Sequence, residues 1–279
     1  MVFDVSGLSA GWEVALSVEL DPHDMLERSQ WDFFWVPEDV EVVDRPELLY
    51  VRCPRDILYL NYVTRTRAPV GRLPGVIDEV VAAHRQVRSR WLVRARAGAE
   101  ALEEALADRG YLPTVKAEAR AVAVDDYTRA ASEELEVRQV ATREDLEDCI
   151  RVQQVAFGEA RSHTGAEIEG FLQDCTRPGR RVFRYVAYGR DTGEALSTGC
   201  MTAFSDLGFG LLWGGGTVPK ARGRGAYTAL VATRIAQART LGLSHVGLYA
   251  LVDTSAPIVA RQGFRCDGTM RYWDRTPKL

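Results

Sequence analysis

The feature that most restricts what this chain of 279 residues can fold into is an internal repeat. At an offset of 150 positions, the loop running from Pro69 through Arg72 to Gly75 falls on the loop running from Pro219 through Arg222 to Gly225, so that proline, arginine and the last glycine coincide. Each loop follows a strand-like apolar run, 57–63 in the first half and 207–213 in the second, and each precedes a helical pattern. Ala226, Leu230, Val231, Ile235, Ala238 and Leu241 give one apolar helix face with Arg234, Gln237 and Thr240 outside it; Ile77, Val80, Val81, His84 and Val87 give another. Buried strands at 91–95 and 244–248 come next. A short helix then ends in Gly110-Tyr111 in one half and Gly263-Phe264 in the other, where glycine caps the helix and the aromatic tucks into the core. Strands at 117–124 and 269–273 close the two copies. The same order twice predicts a tandem duplication, with units at 1–128 and 135–279 and the polar, acidic stretch 125–134 as the linker.

Length alone favours two domains over one, and 46% apolar residues supply enough to bury in both. A net charge of -4 gives no basic footprint for a phosphate backbone, which argues against nucleic acid as a partner. The five cysteines are widely spaced and lack the close pairs of zinc or redox motifs, so no metal is expected. With no signal-like start and no long apolar run, the expected setting is cytoplasmic, away from membranes.

The second loop carries the chemistry. Arg222-Gly223-Arg224-Gly225 lies between a strand ending near Val218 and a helix starting near Ala226, where unpaired helix amides favour an anion. Glycines let phosphate oxygens reach the amides, and the two arginines add charge-assisted donors. Neither a P-loop nor a dinucleotide fingerprint fits: no Gly-Lys-Ser/Thr follows, and the third glycine is missing.

These residues resemble the GNAT superfamily of acyl-CoA-dependent N-acetyltransferases, whose loop reads Arg/Gln-x-x-Gly-x-Gly/Ala. Arg222 and Gly225 match it, with Tyr227 where the family prefers a small residue, and the segment from Ser255 to Phe264 is similar to the family's later motif. The resemblance covers about residues 135–279. It implies an α/β fold, two tandem GNAT-like domains each with a mixed sheet flanked by helices, and acetyl-CoA as acyl donor. The pyrophosphate would rest on Gly223, Arg224, Gly225, Ala226, Tyr227 and Thr228, with Arg222 and Ser255 nearby. A backbone N–H at Thr217 or Val218 would hold the thioester oxygen.

The implied reaction is attack by a primary amine, on a small molecule, on the thioester. The rivals are a catalytically silent acyl-CoA-binding module and a protein N-acetyltransferase. An alkyl ammonium with a pKa of about 10.4 must first lose a proton. The position where the family often has a tyrosine acid holds Val259, and 209–218 contains no carboxylate. Tyr249, Glu159 and His163 are the remaining candidates for moving protons. The aromatic run Trp31–Trp35 reads first as core, and secondly as a pocket wall. In the first copy Leu73 and Pro74 replace the glycine and arginine of the loop. That loop is not expected to bind CoA, and the first half should instead complete an acceptor cleft.

Overall fold

The computed structural model describes residues 20–130, 132–158 and 162–277. The first half runs α1 (Pro22–Arg28), β1 (Glu41–Arg45), β2 (Leu48–Arg52), β3 (Tyr62–Thr66), α2 (Leu73–Ala83), β4 (Ser89–Arg94), α3 (Ala99–Ala107) and β5 (Leu112–Ala123). The second runs β6 (Leu135–Gln139), α4 (Arg143–Phe157), α5 (Gly165–Thr176), β7 (Val182–Gly189), β8 (Ala195–Phe204), β9 (Phe209–Thr217), α6 (Ala226–Thr240), β10 (His245–Leu251), α7 (Ser255–Ala260) and β11 (Arg265–Arg275).

The eleven strands among the described residues form one mixed sheet in the order β1-β2-β3-β4-β11-β5-β10-β9-β8-β7-β6. The last strand of each half is exchanged: β11 lies against β4 of the first half, while β5 lies against β10 of the second, and β5 and β11 pair antiparallel in the middle. Residues from the two halves therefore share a continuous ladder, and the sheet has no seam at which they could part.

Local chemistry sets the element ends. Thr142 with Asp145, and Thr164 with Glu167, form reciprocal capping boxes at the starts of α4 and α5. The two glycine–aromatic caps are superimposable in their bonding: Tyr111 N–H donates to Leu106 and Phe264 N–H to Val259, each across the same five positions, with Gly110 and Gly263 at φ 80° and 94°. Both aromatics are buried.

Several expectations are corrected. The strand of the first half begins at Tyr62, since buried Asn61 holds the preceding turn by accepting from Cys53 N–H and donating to the carbonyls of Arg55 and Ile57. Its counterpart begins at Phe209, behind Gly208 at φ 61°. Helix α2 stops at Ala83, so His84 and Val87 lie beyond it. The stretch after β5 is anchored: Tyr127 is buried edge-on to Phe264 and donates to Gln262 at 3.0 Å. Arg234 is buried too. Its guanidinium fills the space beneath Gly199, where a Cβ would come within 2.9 Å of it, and donates to the Cys200 and Leu230 carbonyls.

Candidate functional site

Strands β9 and β10 are parallel neighbours only at the start, pairing at Phe209 to Leu211 with His245 to Gly247. Beyond Leu211 and Gly247 they separate, leaving an open slot whose far end is the loop before α6. Two glycines in the left-handed region, Gly223 at φ 78° and Gly225 at φ 83°, shape that loop, and Gly225 caps α6 without a side chain. A Cβ at Gly223 would meet nothing within 4 Å and one at Gly225 only the Ser132 Cβ at 4.0 Å, so the space over the helix start is empty of protein. Arg222 and Arg224 are exposed, and Arg222 Nε reaches back to the Thr217 carbonyl at 3.4 Å. Donors outnumber acceptors, as an anion cradle requires.

The second half of the loop's pattern has its own logic. Ala226 is buried and Thr228 half-buried in the first turn of α6. Tyr227, larger than the family pattern prefers, lies against β9 where Gly215 has no side chain; a Cβ there would sit 2.8 Å from the ring. The flanking glycines are equally constrained, Gly214 by Gln153 at 2.8 Å and Gly216 by Ala156 at 2.7 Å, both from α4. The run Gly214-Gly215-Gly216 lets two helices approach β9 from opposite faces. Nothing in the loop motif pointed to it.

The edge of β9 separates the two candidate oxyanion donors. Val218 N–H donates to Leu196 at 2.9 Å and is thereby spent in the ladder with β8, which removes Val218 from the role. Alternation in an antiparallel ladder turns the neighbouring residue's N–H and C=O to the opposite edge, so those of Thr217 face the slot, consistent with Arg222 reaching the Thr217 carbonyl. Ser255 closes the other wall: its Oγ accepts from Leu251 N–H at 2.8 Å, fixing the end of β10.

Of the proton-handling candidates, Glu159 lies outside the described residues. Tyr249 projects from β10 onto the face that carries α1, packed with Leu26, Phe209 and Ala119, and burial pushes its phenol well above the usual range. It is a neutral donor. His163 precedes α5 and stacks edge-on to Phe171 at 5.4 Å. Tyr249 and His163 share that face, with a stack between them: Phe171 lies over Arg184 at 5.1 Å, and Arg184 over Trp213 at 5.0 Å. Arg184 is almost fully buried beside Cys200 Sγ at 4.0 Å, with its charge raised in pKa by the thiols around it despite desolvation. A hydrogen bond with Cys200 and the Arg184 charge pull the Cys149 thiol below its ordinary range, and Cys149 Sγ contacts Thr198 Oγ1 at 2.9 Å. Sequence reasoning passed over this cluster, because its members come from α4, α5, β7 and β8.

Val259 is fully buried in the main core, as is Leu106 at the matching place in the first half. Trp31–Trp35 is core only in part: Phe33 packs against the cluster of Val40, Val51, Cys53 and Leu60, whereas Trp31 lies under Arg65 and Arg67. Phe34 lies 4.0 Å from Arg181 of β7's entry, Asp32 pairs with Arg181 at 2.7 Å, and Arg55 approaches Glu167 of α5 at 3.9 Å. The first half thus reaches over the same face of the second that holds Trp213 and Phe171.

In the first half, β3 and β4 pair only at Tyr62 and Val63 and then separate in the same way. There, however, α2 begins at Leu73, so Leu73, Pro74 and Gly75 are its first turn, and neither Gly71 nor Gly75 has positive φ. The free loop has become helix.

The fold that carries this slot and loop is matched among solved structures. The chain has the fold of the GCN5-related N-acetyltransferases. A GCN5-related N-acetyltransferase from Kribbella flavida matches with a TM-score of 0.68 over 94% of this chain and 98% of its own, at 17% identity. Another from Sphaerobacter thermophilus gives 0.59 over 86% and 77%, at 20% identity. A tandem GNAT protein from the clavulanic acid biosynthesis pathway gives 0.57 over 92% and 89%, at 13% identity. No family model and no curated protein matches the chain. No described helix is long and apolar enough to cross a membrane, and among the described residues no cluster of His, Cys, Asp and Glu could hold a metal ion.

Proposed function

We propose that the protein transfers an acetyl or short acyl group from CoA to a primary amine on a small molecule, with the donor in the second half only. The observation that carries this is the β9–β10 slot ending on Gly223 and Gly225 at the head of α6. The amides from residue 223 to 228, with Arg222 and Arg224, take the pyrophosphate, and the pantetheine arm adds as a strand along the slot beside Ser255. Thr217 N–H, turned to the slot, supports the thioester oxygen as it becomes an oxyanion.

In the reaction the neutral amine nitrogen bonds to the thioester carbon, the C–S bond breaks, and the thiolate leaves. The amine's proton must go to a base or water, and the thiolate can accept one from Tyr249, whose phenol stays protonated at neutral pH. The acceptor enters on the face where Phe34 and Arg181 of the two halves meet.

One observation favours a silent acyl-CoA-binding module as second reading: Val259 is sealed in the core and cannot be exchanged for an acid without repacking. The deciding experiment is calorimetric titration with acetyl-CoA followed by thiol release over a broad amine panel. One site per chain with turnover on a small amine supports the transferase. Tight binding with no turnover on any amine supports the module, and two sites or none overturns the placement of the donor.

A further inference from the structure

Where β3 and β4 separate in the first half, the gap forms an open cavity of about 340 Å³. We propose that this cavity is a second small-molecule site, for an organic anion with a short apolar tail. It is distinct from the donor slot, because the loop that would cradle a pyrophosphate is here the first turn of α2 and contains Pro74, which has no N–H.

The lining determines the chemistry. Arg67, Arg94 and Arg96 face the cavity against a single carboxylate, Glu27, so its walls carry a net excess of positive charge. Glu27 is buried and ion-paired to Arg94, with Arg96 Nη1 at 3.6 Å. Arg96 also spans the mouth, donating to the Thr66 carbonyl at 2.6 Å. Two buried polar atoms of this lining have no partner among the described residues: the Thr64 hydroxyl, on a residue only 2% exposed, and Arg94 Nε. Both can donate. Gly98, at the N-cap of α3, offers no side-chain acceptor to the helix start that borders the same space. A cavity whose unpaired groups are donors, and whose charge is positive, selects an acceptor-rich anion. The remaining wall, Leu73, Leu92 and Leu102, is apolar and suits an alkyl segment.

The probes are hexanoate, hexylammonium and hexanol, which share a tail and differ in head group. Each is titrated calorimetrically into the full chain saturated with CoA. Hexanoate is expected to bind at one site per chain, at least tenfold more tightly than hexanol, while hexylammonium gives no saturable signal. Arg96→Gln, at the exposed mouth, should weaken hexanoate at least tenfold and leave CoA affinity unchanged; Ala99→Leu, which fills the cavity from α3, should abolish hexanoate binding. Equal binding of hexanol and hexanoate, hexanoate displaced by CoA, no hexanoate binding at all, or hexanoate binding retained in both folded variants would overturn the proposal. CoA binding is read separately in every titration, so failure here is distinguishable from failure of the donor slot.

Discussion

The two loops at 69–75 and 219–225 stand in the same place between separating strands and a helix, yet they have opposite backbones. In the second, Gly223 and Gly225 take left-handed conformations that keep three residues out of α6 and leave amides facing open space. In the first, ordinary dihedrals at Leu73 allow the helix to start three positions earlier, and the equivalent amides enter its first turn. The lesson is that a phosphate-type loop is a delayed helix, held back by glycine. Where Gly223 gives way to Leu73 and Arg224 to Pro74, both of which favour right-handed dihedrals, the loop is consumed.

The comparison can be broken most severely by separating the halves. Residues 135–279 alone lack β5, leaving β10 and β11 without the strand between them, and should be insoluble or fail to bind CoA; a monomeric fragment with full CoA affinity would show that exchange is dispensable. Next in size, Gly225→Val should lower CoA affinity by about 100-fold while the fold persists with some loss of stability, since a β-branched residue at φ 83° is strained by about 1–2 kcal/mol. Unchanged affinity by titration would remove the loop from the donor site. Gly215→Ala places a methyl against the Tyr227 ring and should destabilise by about 1–3 kcal/mol in urea, with most of the loss recovered in combination with Tyr227→Leu. Smaller still, and of opposite sign, Gly75→Ala in the first turn of α2 should stabilise by about 0.5–1 kcal/mol, because that glycine is helical and its Cβ position is open.

The first half also carries a buried histidine that gives it a pH response. His84 is fully buried, with Nδ1 2.9 Å from the Val80 carbonyl and Nε2 3.0 Å from that of Val51, and burial depresses its pKa. A depressed imidazole contributes stability that is present above its unfolded value, about 6.5, and is lost as pH falls towards its folded value. The urea midpoint should therefore drop between pH 7 and 5, and the drop should shrink in His84→Gln. An identical pH slope in that variant would assign the response to other groups.

Much of this was legible in residue order. The glycine–aromatic caps, the start of α6 and the paired strand–loop–helix units follow from short-range chemistry, and short-range chemistry is what periodicity and glycine placement report. What escaped depends on partners distant in sequence. Arg234 reads as a solvated helix position until Gly199, thirty-five residues earlier, provides a side-chain-free place for its guanidinium. Val218 and Thr217 look interchangeable as donors, and only the pairing with β8 tells which edge each amide faces. The aromatics at 31–35 have a core composition, but while Phe33 packs against a small core cluster, Trp31 lies under Arg65 and Arg67 of its own half and Phe34 meets Arg181 of the other. The exchange of β5 and β11 leaves no trace in sequence, since either arrangement uses the same strands with the same alternation.

That exchange also orders the life of the chain before it is finished. During synthesis from the N-terminus, β4 emerges with one edge unpaired, and its permanent neighbour is made far later: Arg94 waits for Met270. Closing so long a loop is entropically slow, and an open apolar edge in the interval invites pairing with other nascent chains. The first half, complete in sequence by residue 123, is incomplete as a sheet until β11 has been made. Loss of β11 alone would therefore unmake the first half of the sheet as surely as the second.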